Sequence, residues 1–315
     1  IRKMARTTAS VLRQMDLYPK TRFVQSQALL YALLKDRFPA LFERVRKAVK
    51  AGRWEIVGGM WVEADTNMPS GESLVRQALY GKRFFQQEFG VDVRVGWLPD
   101  VFGLTGALPQ ILRKSGIDFL FTAKQVTNED TRFPHTVFRW LGIDGSGVVT
   151  QSSLSYYNED NTPEVMLDHL NFFRQKGVHN AMLMPFGWGD GGGGPTIRQI
   201  ERARRLADQP GLPRLATAPL SDFFAQAARN RRLPCWRGEI YQGAHRGTYT
   251  TLAPIKRLNR LAELRLREVE MLSAMLGHGA DDPAWRESAW KTVLLQQFHD
   301  VLCGACTDAG HSEAV

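Results

Sequence analysis

Short apolar runs separated by helical sequence set the fold class of this chain. Arg22-Phe23-Val24, Trp54-Glu55-Ile56-Val57, Val91–Trp97 and Phe119-Leu120-Phe121-Thr122 each have the length and the β-branched or aromatic content of a strand. Between them lie helical stretches at 26–34, 39–51, 72–89 and 107–115, preceded by a first helix over 2–16. Strands and helices in alternation bury their apolar faces best as a parallel sheet with helices packed on it, which predicts an α/β fold. Gly52, Gly90 and Gly116 stand where those helices must stop. Further strands are expected at Val137–Trp140 and Val148–Thr150, joined by an Asp144-Gly145 hairpin turn, and at Ala181–Met184.

Chemistry in a parallel sheet gathers at the C-terminal ends of the strands. Pro99 stops the third run and Asp100 follows it, so Asp100 is a candidate catalytic carboxylate, with a turn or capping aspartate as the alternative. The next run delivers Lys124 to the same edge. The loop from Met60 to Glu72 holds Trp61, Glu63, Asp65 and Asn67. An exposed tryptophan beside carboxylates and amides suits a sugar, which stacks its ring and pairs its hydroxyls; the alternative is a packed surface loop.

The stretch Phe186-Gly187-Trp188-Gly189-Asp190, with four glycines and Pro195 after it, admits two uses. Gly187, Gly189 and Gly192 have the spacing of a dinucleotide fingerprint, which requires a strand before and a helix after. Against this, Asp208 lies at a helix end, and Pro195 removes an amide from the helix start. A glycine-permitted loop carrying Asp190 to a bulky ligand fits better.

Beyond residue 250 the sequence turns helical. Leu258, Leu261, Ala262, Val269, Leu272 and Leu276 recur at helical period and are expected to pack inward. Asp282-Pro283 opens a second helix, with Trp285, Ala289, Gln296 and His299 along one stripe. A lone histidine there reads first as a satisfied core or capping group.

A formal charge of +9 comes from 41 basic against 32 acidic residues, but the excess is dispersed over helix faces, so no nucleic-acid partner is expected. No apolar run approaches the roughly 20 residues of a membrane span. Three cysteines, an odd number, argue against a disulfide framework, and Cys303-Gly304-Ala305-Cys306 lacks the second pair of a four-thiolate zinc site. The chain opens on Ile1 and reads as a piece of a longer protein, so a missing leader decides nothing; a cytoplasmic location is expected.

Several stretches together resemble class II α-mannosidases, glycoside hydrolase family 38. They are Phe23–Gln27, Gly58–Glu63, Pro69–Ser73, Trp97–Gly103, Gly189–Pro195, Arg246–Thr250 and Gln297–Asp300, in the family's order. The glycine loop looks like that of the bacterial and cytosolic branch. The resemblance implies an α/β, β/α barrel-like catalytic domain over residues 1–250 lacking its first strand. An incomplete three-helix bundle would follow over 251–315.

The resemblance also implies retaining hydrolysis of α-mannosides or mannose-containing oligosaccharides, through two carboxyl groups about 5–5.5 Å apart. Asp100 takes the nucleophile position and binds a divalent metal, usually zinc; His299 is a second ligand. Lys124, Asp300 and Trp61 are the expected substrate contacts. Asp190 is the candidate acid/base, although the Golgi and lysosomal branches place that acid on the residue aligned with Gly191. Two further metal ligands, a His-x-Asp pair, would precede Ile1. Cys303 and Cys306 replace a proline and a small polar residue of the family. A non-catalytic carbohydrate-binding remnant and a nucleotide-binding α/β protein are the alternatives, and an oligomer is possible.

Overall fold

The computed structural model describes residues 1–128, 131–153, 157–189, 191–277 and 282–314. The chain opens with α1 (Arg2–Leu17), β1 (Phe23–Gln25), α2 (Ala28–Arg37), α3 (Pro39–Lys50) and β2 (Trp54–Ile56). β1 and β2 pair in parallel, with Phe23 opposite Trp54. α4 (Gly71–Phe89) leads to β3 (Val95–Leu98), α5 (Leu108–Lys114) to β4 (Phe119–Thr122), and β5 (Val137–Leu141) turns back into β6 (Gly147–Ser152). α6 (Pro163–Phe172), α7 (Ile197–Arg205) and α8 (Leu220–Arg229) precede β7 (Cys235–Arg237). The rest is helical: α9 (Ala253–Leu276), α10 (Pro283–Gln296), α11 (His299–Leu302) and α12 (Asp308–Ala314).

The larger sheet runs β3-β4-β6-β5-β7. β3, β4 and β6 are mutually parallel, β5 is antiparallel to β6, and β7 is parallel to β5. The Gly58 N–H donates to the Val95 carbonyl at 2.7 Å and ties the small β1–β2 pair to the large sheet. The class is α/β with parallel strands, as the alternation requires. Side chains alternate along β4: Leu120 packs with Leu98, Leu108 and Leu112 under α5. Phe121 packs on the other face with Val95, Val149 and Phe224 of α8. A strand covered on both faces has to be apolar at successive positions, which is why Phe119–Thr122 is legible without a period.

Local chemistry sets the limits of α4. The Ser70 hydroxyl accepts the Ser73 N–H at 3.2 Å, and Gly90 takes the left-handed conformation, φ 68°, that closes the helix. In its middle, Gly81 lies so close to the Gly59–Met60 backbone that a Cβ would stand 2.4 Å from the Gly59 oxygen. No helical side chain fits there.

Three expectations are corrected. Ala181–Met184 is not a strand: its backbone pairs instead with a side chain, Gln151, whose amide donates to the Leu183 carbonyl and accepts the Leu183 N–H, both at 2.7 Å. On α9 the leucine stripe faces outward, with Leu272 and Leu276 57% and 77% exposed. The inward face is Ile255, Asn259, Glu263 and Leu266. Glu263 is buried there because its bonds are satisfied. One oxygen accepts the Ser70 N–H, the Ser73 hydroxyl and the Gln297 amide, and the other accepts Arg260. On α10, Trp285 is exposed while Trp290 is buried, its indole donating to Glu270 at 3.0 Å. That helix ends at Gln296, so His299 does not share its stripe. Among the described residues no helix is long and apolar enough to cross a membrane.

Candidate active site at the strand ends

Asp100 follows β3 and lies outside the ladder, whose register ends at Leu98 opposite Thr122. Lys124, two residues beyond β4, ion-pairs with its Oδ1. Tyr157, beyond β6, donates its hydroxyl to Oδ2 at 2.9 Å. His299 brings Nε2 to 3.6 Å from the same Oδ2. Parallel pairing of β3, β4 and β6 is what delivers three of these groups to one edge. Burial pushes the Asp100 carboxyl up, but the neighbouring His299 imidazole and Lys124 ammonium outweigh it and hold the group at about 2. Asp100 is therefore an ionised, oriented carboxylate.

His299 is held from the loop after β2. Its backbone N–H and its ring Nδ1 both meet the Glu63 carbonyl, at 3.2 and 2.9 Å. A carbonyl only accepts, so Nδ1 carries the hydrogen and Nε2 is the atom turned toward Asp100. Burial pushes the imidazole down, yet the nearby carboxylate of Asp100 and the Glu63 and Asp300 charges raise it to about 9. The Glu63 side chain is buried too and accepts the Asp100 N–H at 2.9 Å. Burial lifts its carboxyl to about 7. The segment extends as a short antiparallel contact, with Ala64 bridged to Phe298 and the Asp65 N–H donating to the Gln297 carbonyl at 2.9 Å. Phe102 closes the cluster, edge-on to His299 at 5.5 Å and stacked on His245 at 4.6 Å. Asp300 is half-exposed, with Oδ1 3.9 Å from His299 Nε2.

Asp100, Lys124, His299 and Asp300 are thus together. Trp61 is corrected: it is 5% exposed, edge-on to Phe84 at 6.2 Å and covered by Lys291 at 4.6 Å. Its ring is part of the core and offers no face to a sugar, so the packed-loop alternative holds. Sequence reasoning assigned no role to Tyr157, Phe102 or His245, and offered Glu63 only as a carboxylate of a possible sugar-binding loop. Phe102 and Glu63 lie inside stretches that were singled out, but Tyr157 carried no signal beyond following a strand.

Asp190 lies outside the described residues. Its neighbours show how the glycine loop is seated. A Cβ on Gly189 would meet Tyr157 at 2.6 Å, and one on Gly192 or Gly194 would meet Thr7 or Val11 of α1 at 2.7 Å. Arg6 donates to the Gly191 carbonyl at 3.0 Å. The dinucleotide context is missing among the described residues. No strand precedes the loop, and the start of α7 is closed by its own capping box, Thr196 with Gln199.

Among the described residues no group of three or more His, Cys, Asp or Glu side chains converges to hold a metal ion, so Cys303 and Cys306 do not extend the Asp100–His299 pair. Cys303 is buried, and burial pushes its thiol up to about 11. At pH 8 about one molecule in a thousand then carries the thiolate, the form that reacts. In native protein at pH 8, iodoacetamide is expected to label exposed Cys235 and leave Cys303 unmodified until the chain unfolds. Peptide mass spectrometry reads both sites, and equal labelling would contradict the burial.

Residues 1–239 match the family model described as Glycosyl hydrolases family 38 N-terminal domain, and residues 243–315 match Alpha mannosidase middle domain. Alpha-mannosidase G of Dictyostelium discoideum is 42% identical over 309 residues, 96% of this chain and 28% of its own length. Human Alpha-mannosidase 2C1 is 40% identical over 322 aligned residues, 100% of this chain and 31% of its own length. An alpha-mannosidase from Enterococcus faecalis V583 shares the fold at a TM-score of 0.78 and 22% identity, covering 99% of this chain and 38% of that one. The chain spans less than a third of the length of these two curated relatives. With the family model covering most of the sequence and a strand-end carboxylate at the centre of the fold, this chain belongs to glycosyl hydrolases family 38.

Proposed function

We propose that this chain is part of a retaining, metal-dependent α-mannosidase, with residues 1–250 as its catalytic α/β domain and 251–315 opening a helical bundle. The observation that carries this reading is Asp100, ionised and gripped by Lys124, Tyr157 and His299 at the strand ends. The names of its relatives support an α-mannoside or mannose-containing oligosaccharide as substrate. A carboxylate held in one orientation has met part of its entropic cost before substrate arrives. Asp100 attacks the anomeric carbon while the glycosidic bond breaks and the leaving oxygen takes a proton from the acid, for which Asp190 is the candidate. The same acid, now a base, takes a proton from the water that displaces Asp100 from that carbon. Two inversions retain the α configuration. Asp300, half-exposed beside His299, is the candidate acceptor of a hydrogen bond from a sugar hydroxyl.

Asp100 Oδ2 and His299 Nε2 would hold the metal. They stand 3.6 Å apart, near enough to be shared by one ion. The Glu63 carbonyl fixes the tautomer that turns Nε2 outward, as is usual for a ligating histidine. When bound, such an ion supplies positive charge that favours the ionised carboxylate and attracts sugar hydroxyls.

The test is hydrolysis of an aryl α-mannoside by the full-length protein that carries this chain. Activity is expected to fall at least about tenfold on metal removal and to return with zinc. Nuclear magnetic resonance is expected to show α-mannose as the first product. β-Mannose released first would rule out retention, and full activity without metal would rule out the metal. Mannoside binding without hydrolysis would leave the carbohydrate-binding remnant.

A further inference from the structure

Asp100 and His299 come from distant parts of the chain, one beyond a strand of the sheet and the other at the first residue of α11. One residue bonds to both. The Glu63 carbonyl accepts the backbone N–H and the Nδ1–H of His299 at 3.2 and 2.9 Å. The Glu63 side chain accepts the Asp100 N–H at 2.9 Å. Glu63 is 7% exposed, so these bonds form out of competition with water. The preceding Pro99 has no N–H, and the β3 ladder has ended, so the Glu63 carboxyl anchors the Asp100 backbone where the sheet no longer does.

We propose that Glu63 is a positioning residue that sets the spacing between Asp100 and His299, and through it metal affinity and turnover. The inference rests on the reading of those two residues as nucleophile and metal ligands. Its backbone and side chain divide the task. Substitution leaves the carbonyl grip on His299 and removes the bond to Asp100, together with the side-chain charge that Glu63 sets beside the imidazole. Displacing a carboxylate by a fraction of an ångström is enough to weaken a metal site or spoil the line of attack.

The experiment uses the full-length protein and two readouts, zinc affinity by competition with a chelator, and kcat and KM on an aryl α-mannoside. Glu63→Met fills the same space without an acceptor. It is expected to weaken zinc binding about tenfold or more and to lower kcat similarly, with KM changed less than about threefold. Glu63→Gln keeps an acceptor oxygen and is expected to stay within about threefold of wild type in both. If Glu63→Met does not fold, Glu63→Asp, with its carboxylate drawn back by one methylene, is expected to lose both zinc affinity and kcat. A folded Glu63→Met or Glu63→Asp with wild-type zinc affinity and kcat overturns the proposal, as does a Glu63→Gln as damaged as Glu63→Met. A wild-type protein that neither binds zinc nor cleaves the mannoside overturns the functional reading itself, whatever Glu63 does.

Discussion

Asp100→Ala is expected to lower kcat on an aryl α-mannoside by about 10⁴-fold or more, the scale of losing a group that acts in covalent catalysis. A good aryl leaving group needs little protonation, so the loss reports on the nucleophile and not on the acid. The substitution also vacates the space between Lys124, Tyr157 and His299 that the carboxylate fills. A small anion entering there meets the anomeric carbon from the same face. Added azide is therefore expected to restore turnover and to yield β-mannosyl azide by a single inversion. Chromatography against both anomers reads the result. Undiminished activity in Asp100→Ala would remove it from the mechanism, and rescue giving the α anomer would place the nucleophile elsewhere.

Gly81→Ala is expected to destabilise the fold by about 3 kcal/mol or more, the upper end of overpacking costs. The new methyl would stand 2.4 Å from both the Gly59 oxygen and the Met60 carbonyl carbon, and backbone cannot rotate away as a side chain can. Helix propensity alone argues the opposite, a gain of about 1 kcal/mol for alanine over glycine inside a helix. The sign of the change therefore separates local preference from tertiary packing. A thermal melt is expected to fall by roughly 4 °C or more. A rise in melting temperature would show that α4 and the Gly59–Met60 segment are not in contact. The effect should reach the site, because that segment continues into Glu63.

Much of the scaffold was readable locally. Ser70 and Gly90 bound α4 through bonds and torsions made within a few residues. The Asp144-Gly145 turn joins β5 to β6, with Gly145 at φ 83° and Asp144 Oδ1 accepting the Ser146 N–H at 2.9 Å. Thr162-Pro163 was an available start signal for α6, a cap followed by proline, and the same reading applied there would have found that helix. The site was partly readable, because a parallel sheet brings its strand ends to one edge, so Asp100 and Lys124 followed from strand limits alone.

Trp61, α9 and Glu63 were not readable, for one shared reason. Whether an indole is a platform or a core residue depends on what lies over it, and here Phe84 and Lys291 do. The apolar stripe of α9 was correct as a period and wrong as a direction. The opposite face is buried by a carboxylate whose partners, Ser70, Ser73 and Gln297, come from other elements. Glu63 gains its place only when the 63–65 segment meets 297–299. The sequence by itself determined the alternation of strands and helices, the caps that bound them and the family to which its motifs belong. Tertiary structure alone decided which faces meet and which polar groups are buried together, because those bonds join residues far apart in the chain and leave no period or spacing to read.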